Sequence, residues 1–288
     1  MTPPTAEKPW RSREGLLVLP ALAFYLVVYL YPLSKLVSWS FFDPGFTLKF
    51  YRELLGEPAY FRALSNTLEI SLLVTVIALL LGYPIAYLMA TTSARLRSLL
   101  TALVLVPFWT SILVRTFAWI VILGNNGIVN RALVQLGVLD RPVKLLFNMI
   151  GVQVGMVHVL LPFMIFPLYG AMSRIDPAVV RVARSLGATP VRAFLRVFLP
   201  LSLPGVAAGC VLVFLLAIGF YVTPALLGGP GEITLATMID MMINTLLNWG
   251  FAATLGVVLL VVVGAIFVAF SRLMGLNRIV GAGGEHAR

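Results

Sequence analysis

Four arginines pose the first chemical question. Arg181 and Arg184 lie three apart, and Arg192 and Arg196 lie four apart, within DPAVVRVARSLGATPVRAFLRVFLPLSLPGV, residues 176–206. At helical spacing each pair shares one face. The flanking residues are those that start and stop helices. Asp176 can cap a helix that begins at Pro177, and Gly187 stands where a left-handed stop belongs. Thr189-Pro190 repeats the start signal, and Pro200 is expected to end the second helix near Leu199. The stretch therefore predicts two short helices of about three turns each. Val179, Val180, Val182, Ala183 and Leu186 make the first apolar away from its arginines. A basic two-helix element with no acid beyond its cap reads as a surface that docks on something. It reads equally as a solvated positive loop that only fixes membrane orientation.

A second arginine has a different setting. Arg115 lies within PFWTSILVRTFAW, an otherwise apolar segment. A guanidinium there costs several kcal/mol unless it pairs, faces water or snorkels. Pro107, Ser111, Arg115 and Trp119 recur at four-residue steps and trace one face of an expected continuous helix. Together with Trp109 they form a candidate pathway stripe. The alternative is an arginine that snorkels to the interface beside Trp119. Tyr221 and Thr223 in GFYVTPALLGGPG precede a proline and a glycine-rich break. They belong either to a broken helix along a path or to an aromatic belt and a plain exit turn. Glu69 and Asp240 complete the path candidates, and Asp240 and Asn244 stand four apart in residues 232–248, expected to form an outer amphipathic helix or a re-entrant segment.

Other chemistry is poorly provided for. None of the eleven acids falls at the middle of a span, so ion-coupled carriage lacks its usual carboxylate. His158 is the one titratable candidate deep in a span, and a single helical histidine more often packs than relays. A phosphate-binding P-loop needs a Gly-Lys pair, and no lysine here follows glycine. No Cys/His cluster suits a metal, and Cys210 has no partner for an intrachain disulfide. Any work this chain does draws its energy from another subunit.

The elements that position these residues follow from composition. Of 288 residues, 60% are hydrophobic and 11% charged, with mean hydropathy +0.99. Soluble domains carry about a quarter charged residues, so the chain reads as an all-α polytopic membrane protein. Six spans are expected, at about 15–31, 66–91, 99–123, 145–172, 202–227 and 249–271, each long enough for a hydrocarbon core of about 30 Å. The first apolar run lacks a small-x-small cleavage site and continues as a spanning helix. Residues 42–65 read as a polar loop. Residues 1–14 and 272–288 are tails, and 173–200 is the basic loop. Thirteen of the 21 Lys and Arg fall on the side of the N-terminus and six on the other. That asymmetry puts both tails and the basic loop in the cytoplasm. The net charge of +10 lies in short loops, so it speaks for membrane orientation and not for nucleic acid.

The stretch 176–206 resembles the cytoplasmic EAA loop of binding-protein-dependent ABC importer permeases. Arg181-Val182-Ala183 occupies the triplet, followed by Leu186-Gly187-Ala188, Phe194, Leu199-Pro200 and Pro204-Gly205. The spacing holds while Arg181 replaces the motif's Glu. The segments NTLEISLLVTVIALLLGYPIAYLMA, PFWTSILVRTFAWIVILGNNGIVN, LLPFMIFPLYGAMSRIDP and YVTPALLGGP resemble the spermidine/putrescine-type branch. The resemblance implies the type I importer permease fold, with cytoplasmic coupling helices in a bacterial inner membrane. It assigns coupling to Arg181, Val182, Ala183, Arg184, Leu186, Gly187, Ala188, Arg192 and Phe194. The implied partners are a second similar permease, two cytoplasmic ATPase subunits that bind ATP and Mg, a periplasmic solute-binding protein and membrane lipid. Phe220 stands where polyamine carriers often place an acid, so opines or amino-acid derivatives stay open as solutes. A non-transporting membrane scaffold is the competing class.

Overall fold

The structure is a computed structural model describing residues 14–273. The tails expected at 1–14 and 272–288 lie almost entirely outside the described residues. In chain order the helices are α1 (Glu14–Tyr25), α2 (Tyr31–Phe41), α3 (Lys49–Gly56), α4 (Pro58–Thr91), α5 (Ala94–Leu105), α6 (Ile112–Leu123) and α7 (Ile128–Gln135). There follow α8 (Met149–Met172), α9 (Pro177–Ser185), α10 (Pro190–Ala193), α11 (Leu199–Ile218), α12 (Val222–Leu227), α13 (Leu235–Asn244) and α14 (Trp249–Leu273). Six helical stretches are long and apolar enough to cross a membrane.

The centre is α8, apolar on every face and the most buried of the long helices. It packs most extensively against α4 and α11. Ile70, Val74 and Ala78 of α4 meet Met156, Leu160, Met164 and Leu168 of α8 and Val213 and Ala217 of α11 in one cluster. Small residues let the backbones close up. A Cβ on Gly205 would stand 2.5 Å from the Ala171 Cβ and 3.1 Å from the Pro167 carbonyl oxygen.

The prolines correct several expected boundaries. The first span does not stop at Tyr31, and the second basic helix does not stop at Leu199. Both continue through a π turn, Leu26–Leu30 and Phe194–Phe198 respectively. Each π turn ends two residues before a proline. Tyr31 donates to the Leu26 carbonyl ahead of Pro32, and Leu199 donates to the Phe194 carbonyl ahead of Pro200. The wider turn gives the ring room where it would strike the preceding turn, so the helix bends without ending. The result is one helical rod, Pro190–Ile218, in place of a short second helix.

The third span, expected to be continuous, is broken. After α5 a 3₁₀ turn, Val106–Trp109, leads through Thr110 and Ser111 in extended conformation to α6. Pro107 lacks the N–H that would continue α5, and no π turn absorbs it. The fifth span likewise ends early, at Ile218, and restarts as α12 after Gly219. The supposed loop 42–65 holds α3 and the first turns of α4, which starts at Pro58. Phe50 and Ala63 give the reason, since both are buried against Phe251, Leu235 and Leu255. Apolar partners far along the chain turn a polar stretch into helix.

Candidate functional site

The basic loop is built as its caps dictate. Asp176 Oδ1 accepts from the Ala178 N–H at 2.8 Å, and Thr189 Oγ1 from the Arg192 N–H at 3.3 Å. Gly187 has φ +89°. The Gly187 N–H reaches the Arg184 carbonyl and the Ala188 N–H the Ala183 carbonyl, which together close α9 as a Schellman turn. Arg181, Val182, Arg184, Leu186, Gly187 and Arg192 are exposed, while Ala183, Ala188 and Phe194 are half-buried. Leu186 is 84% exposed, a large apolar side chain at the tip of a projection. Among the described residues the one ion pair joins Lys49 and Asp43, so these arginines have no acidic partner within the described chain.

The inner side of the loop is tied to the bundle by aromatic rings that sequence reasoning passed over. Phe194 meets Tyr83 and Tyr87 edge-on at 6.2 and 5.5 Å, and Phe198 meets Tyr87 at 5.0 Å. Tyr83 shares a hydrogen bond of 2.9 Å with Ser202. The signal was visible: Tyr83/Tyr87 and Phe194/Phe198 are both four-residue pairs. A hollow of 350 Å³ lies behind α9, lined among others by Tyr87, Arg97, Met172, Val180 and Arg181.

The expected stripe along the third span is divided by its break. Ser111 is extended, and its carbonyl accepts the Arg115 N–H at 3.1 Å. Arg115 lines a cavity of 260 Å³ with Phe108, Ile112, Val159, Phe163 and Phe220. Trp119 donates its indole N–H to His158 Nδ1 at 3.1 Å. Trp109, 89% exposed, lines no part of that cavity. So the structure joins Arg115, Trp119 and His158 in one neighbourhood and leaves Trp109 and Ser111 outside it.

A second cleft, of 280 Å³, opens at the end of the bundle opposite the basic loop. Tyr221, Gly229, Glu232, Thr237 and Asp240 are among its lining residues. The Asp240 carboxylate raises the Tyr221 phenol above its ordinary value, with some help from desolvation. Glu232 Oε2 also accepts the Gly229 N–H at 3.0 Å, and Asp240 Oδ1 accepts from Asn244 at 2.6 Å. Thr223 is fully buried, its hydroxyl unpartnered, and is not on the cleft wall. Glu69 is exposed on α4 and lines neither space. Among the described residues no group of three His, Cys, Asp or Glu side chains is placed to hold a metal ion.

Five apolar helical stretches around a sixth, α8, with broken third and fifth spans and a capped basic projection at one end, define a multi-pass helical membrane protein. Residues 79–275 match the family described as binding-protein-dependent transport system inner membrane component, and the chain belongs to that family. It is 36% identical over 233 residues to the spermidine/putrescine transport system permease protein PotB of Escherichia coli (strain K12), covering 81% of this chain and 84% of that one. It is 38% identical over 242 residues to PotB of Haemophilus influenzae, covering 84% of each. A solved bacterial alginate ABC transporter, in complex with an alginate pentasaccharide-bound periplasmic protein, shares the fold. Its TM-score is 0.74 at 22% identity, over 90% of this chain and 93% of that chain.

Proposed function

We propose that this chain is the permease subunit of an ATP-driven, binding-protein-dependent importer for a polyamine-type solute. The observation that carries the reading is the similarity to spermidine/putrescine permeases, which runs over four fifths of both chains. In this reading a periplasmic binding protein delivers solute at the α13 end. A second, similar permease completes the path within the lipid bilayer. Two ATPase subunits hold ATP and Mg and receive the basic loop, whose cytoplasmic position follows from the Lys and Arg asymmetry. ATPase closure pulls on α9, and the continuous rod Pro190–Ile218 carries that movement into the bundle. Arg181, where the motif has Glu, calls for an acidic or carbonyl partner on the ATPase.

The cleft at the opposite end supports an amine. Glu232 and Asp240 offer carboxylate oxygens and Tyr221 an aromatic face, the groups that hold an ammonium. The test is the ATPase rate of the reconstituted complex with its receptor, empty or loaded from a panel of amines. Stimulation by spermidine or putrescine is expected. An assembled complex that no loaded receptor stimulates would leave the scaffold reading standing.

A further inference from the structure

Arg115 is a charge without a counter-charge. Its Nε is buried and has no hydrogen-bond partner. The 260 Å³ cavity it lines is otherwise apolar, with walls from Phe108, Ile112, Phe163, Leu216 and Phe220. Val159 and Leu160, also on its wall, come from the middle of the 24-residue α8, so the cavity lies level with the middle of that helix, and Arg115 is half-buried beside it. Among the described residues no carboxylate pairs with it.

The polar groups nearby offer protons and little else. His158 spends Nδ1 as acceptor for Trp119, which stands one turn along α6 from Arg115. The remaining nitrogen of a neutral imidazole so engaged is a donor. Ser111 gives α6 no side-chain cap, so the first N–H groups of that helix are not met by its hydroxyl. A cation with a donor beside it in an apolar cavity is held better by an oxyanion than by an uncharged acceptor of similar size.

We propose that this cavity binds one carboxylate group. It comes from a side chain of the paired permease subunit or from a solute that carries a carboxylate as well as an amine. The proposal rests on the permease reading for its two sources, while its chemistry stands on Arg115 alone.

The test begins with the purified full-length chain in detergent, melted at matched ionic strength in sodium butyrate or sodium chloride. Butyrate is expected to raise the melting temperature, and butylammonium chloride, of the same size and opposite charge, is not. Arg115→Leu should abolish the butyrate shift. Arg115→Lys keeps the charge and loses the planar fork, so it should need about tenfold more butyrate for the same shift, and it serves if the leucine variant does not fold. Wild-type protein that melts identically in butyrate and chloride overturns the proposal, as does a shift that survives both substitutions. The paired complex then separates the sources. Loss of the butyrate shift on pairing assigns the carboxylate to the partner subunit. Persistence of the shift, with 4-aminobutyrate competing and putrescine not, assigns it to the solute. Receptor-stimulated ATPase of the wild-type complex reads the importer function separately, so either claim can fail without the other.

Discussion

The buried seam between α8 and α11 and the basic loop after α8 both depend on a glycine, for opposite reasons. Gly205 sits where α11 presses on α8, and an added Cβ would fall 2.5 Å from another side chain. Gly187 has nothing within 4 Å of such an atom, yet its φ of +89° is one that L side chains rarely adopt. The first is a limit of space between helices and the second a limit of the backbone itself. The difference separates the two regions generally. In the seam, neighbours decide which residues are possible. In the loop, local chain chemistry decides, and most of the arginine-bearing face is left exposed.

Substitutions can break or sharpen that contrast. The largest effect is expected from Gly205→Leu, which must push α11 off α8 and should cost about 3 kcal/mol or more of stability. Thermal unfolding of the detergent-purified protein measures it. A melting temperature equal to wild type would mean that the seam yields as easily as a loop.

Gly187→Val comes next. A β-branched residue in the left-handed region costs about 1–2 kcal/mol, confined to the turn. Membrane insertion and overall melting should therefore hold while receptor-driven uptake falls by about tenfold, the factor that 1.4 kcal/mol corresponds to in the docked state. Gly187→Asn, which tolerates that conformation, should recover most uptake. Equal loss with valine and asparagine would show that the turn's φ is not what matters.

The smallest effect is expected from Asp176→Ala. It removes the cap on Ala178 and should fray the first turn of α9 by about 1 kcal/mol. Faster amide exchange at Ala178 and Val179, with α8 unchanged, is the expected signature. Faster exchange along α8 as well would join the two regions into one cooperative unit.

The path candidates were less legible than the loop. Arg115 announced itself, because a charge in an apolar run stands out in any window. Its company did not: His158 is 43 residues further on, Phe220 more than a hundred, and only the packing of α6 against α8 and against the turn between α11 and α12 brings them near. Trp109 and Ser111 were expected on the Arg115 face because a continuous helix was assumed. Pro107 broke that helix and turned them elsewhere.

The sequence by itself determined that this chain crosses a membrane, where its basic loop begins, and how α9 starts and stops. Those depend on composition and on caps that act within a few residues. Tertiary structure alone decided which prolines end a helix and which are carried through. Pro32 and Pro200 each follow a π turn, and Pro107 does not. A proline inside a helix removes one hydrogen bond, but whether the chain widens, breaks or runs straight on, as at Pro84 and Pro162, depends on the helices packed against it. The same packing placed the Arg115 charge on a cavity wall, because the helices that form the wall lie far apart in the chain and meet only in the folded bundle.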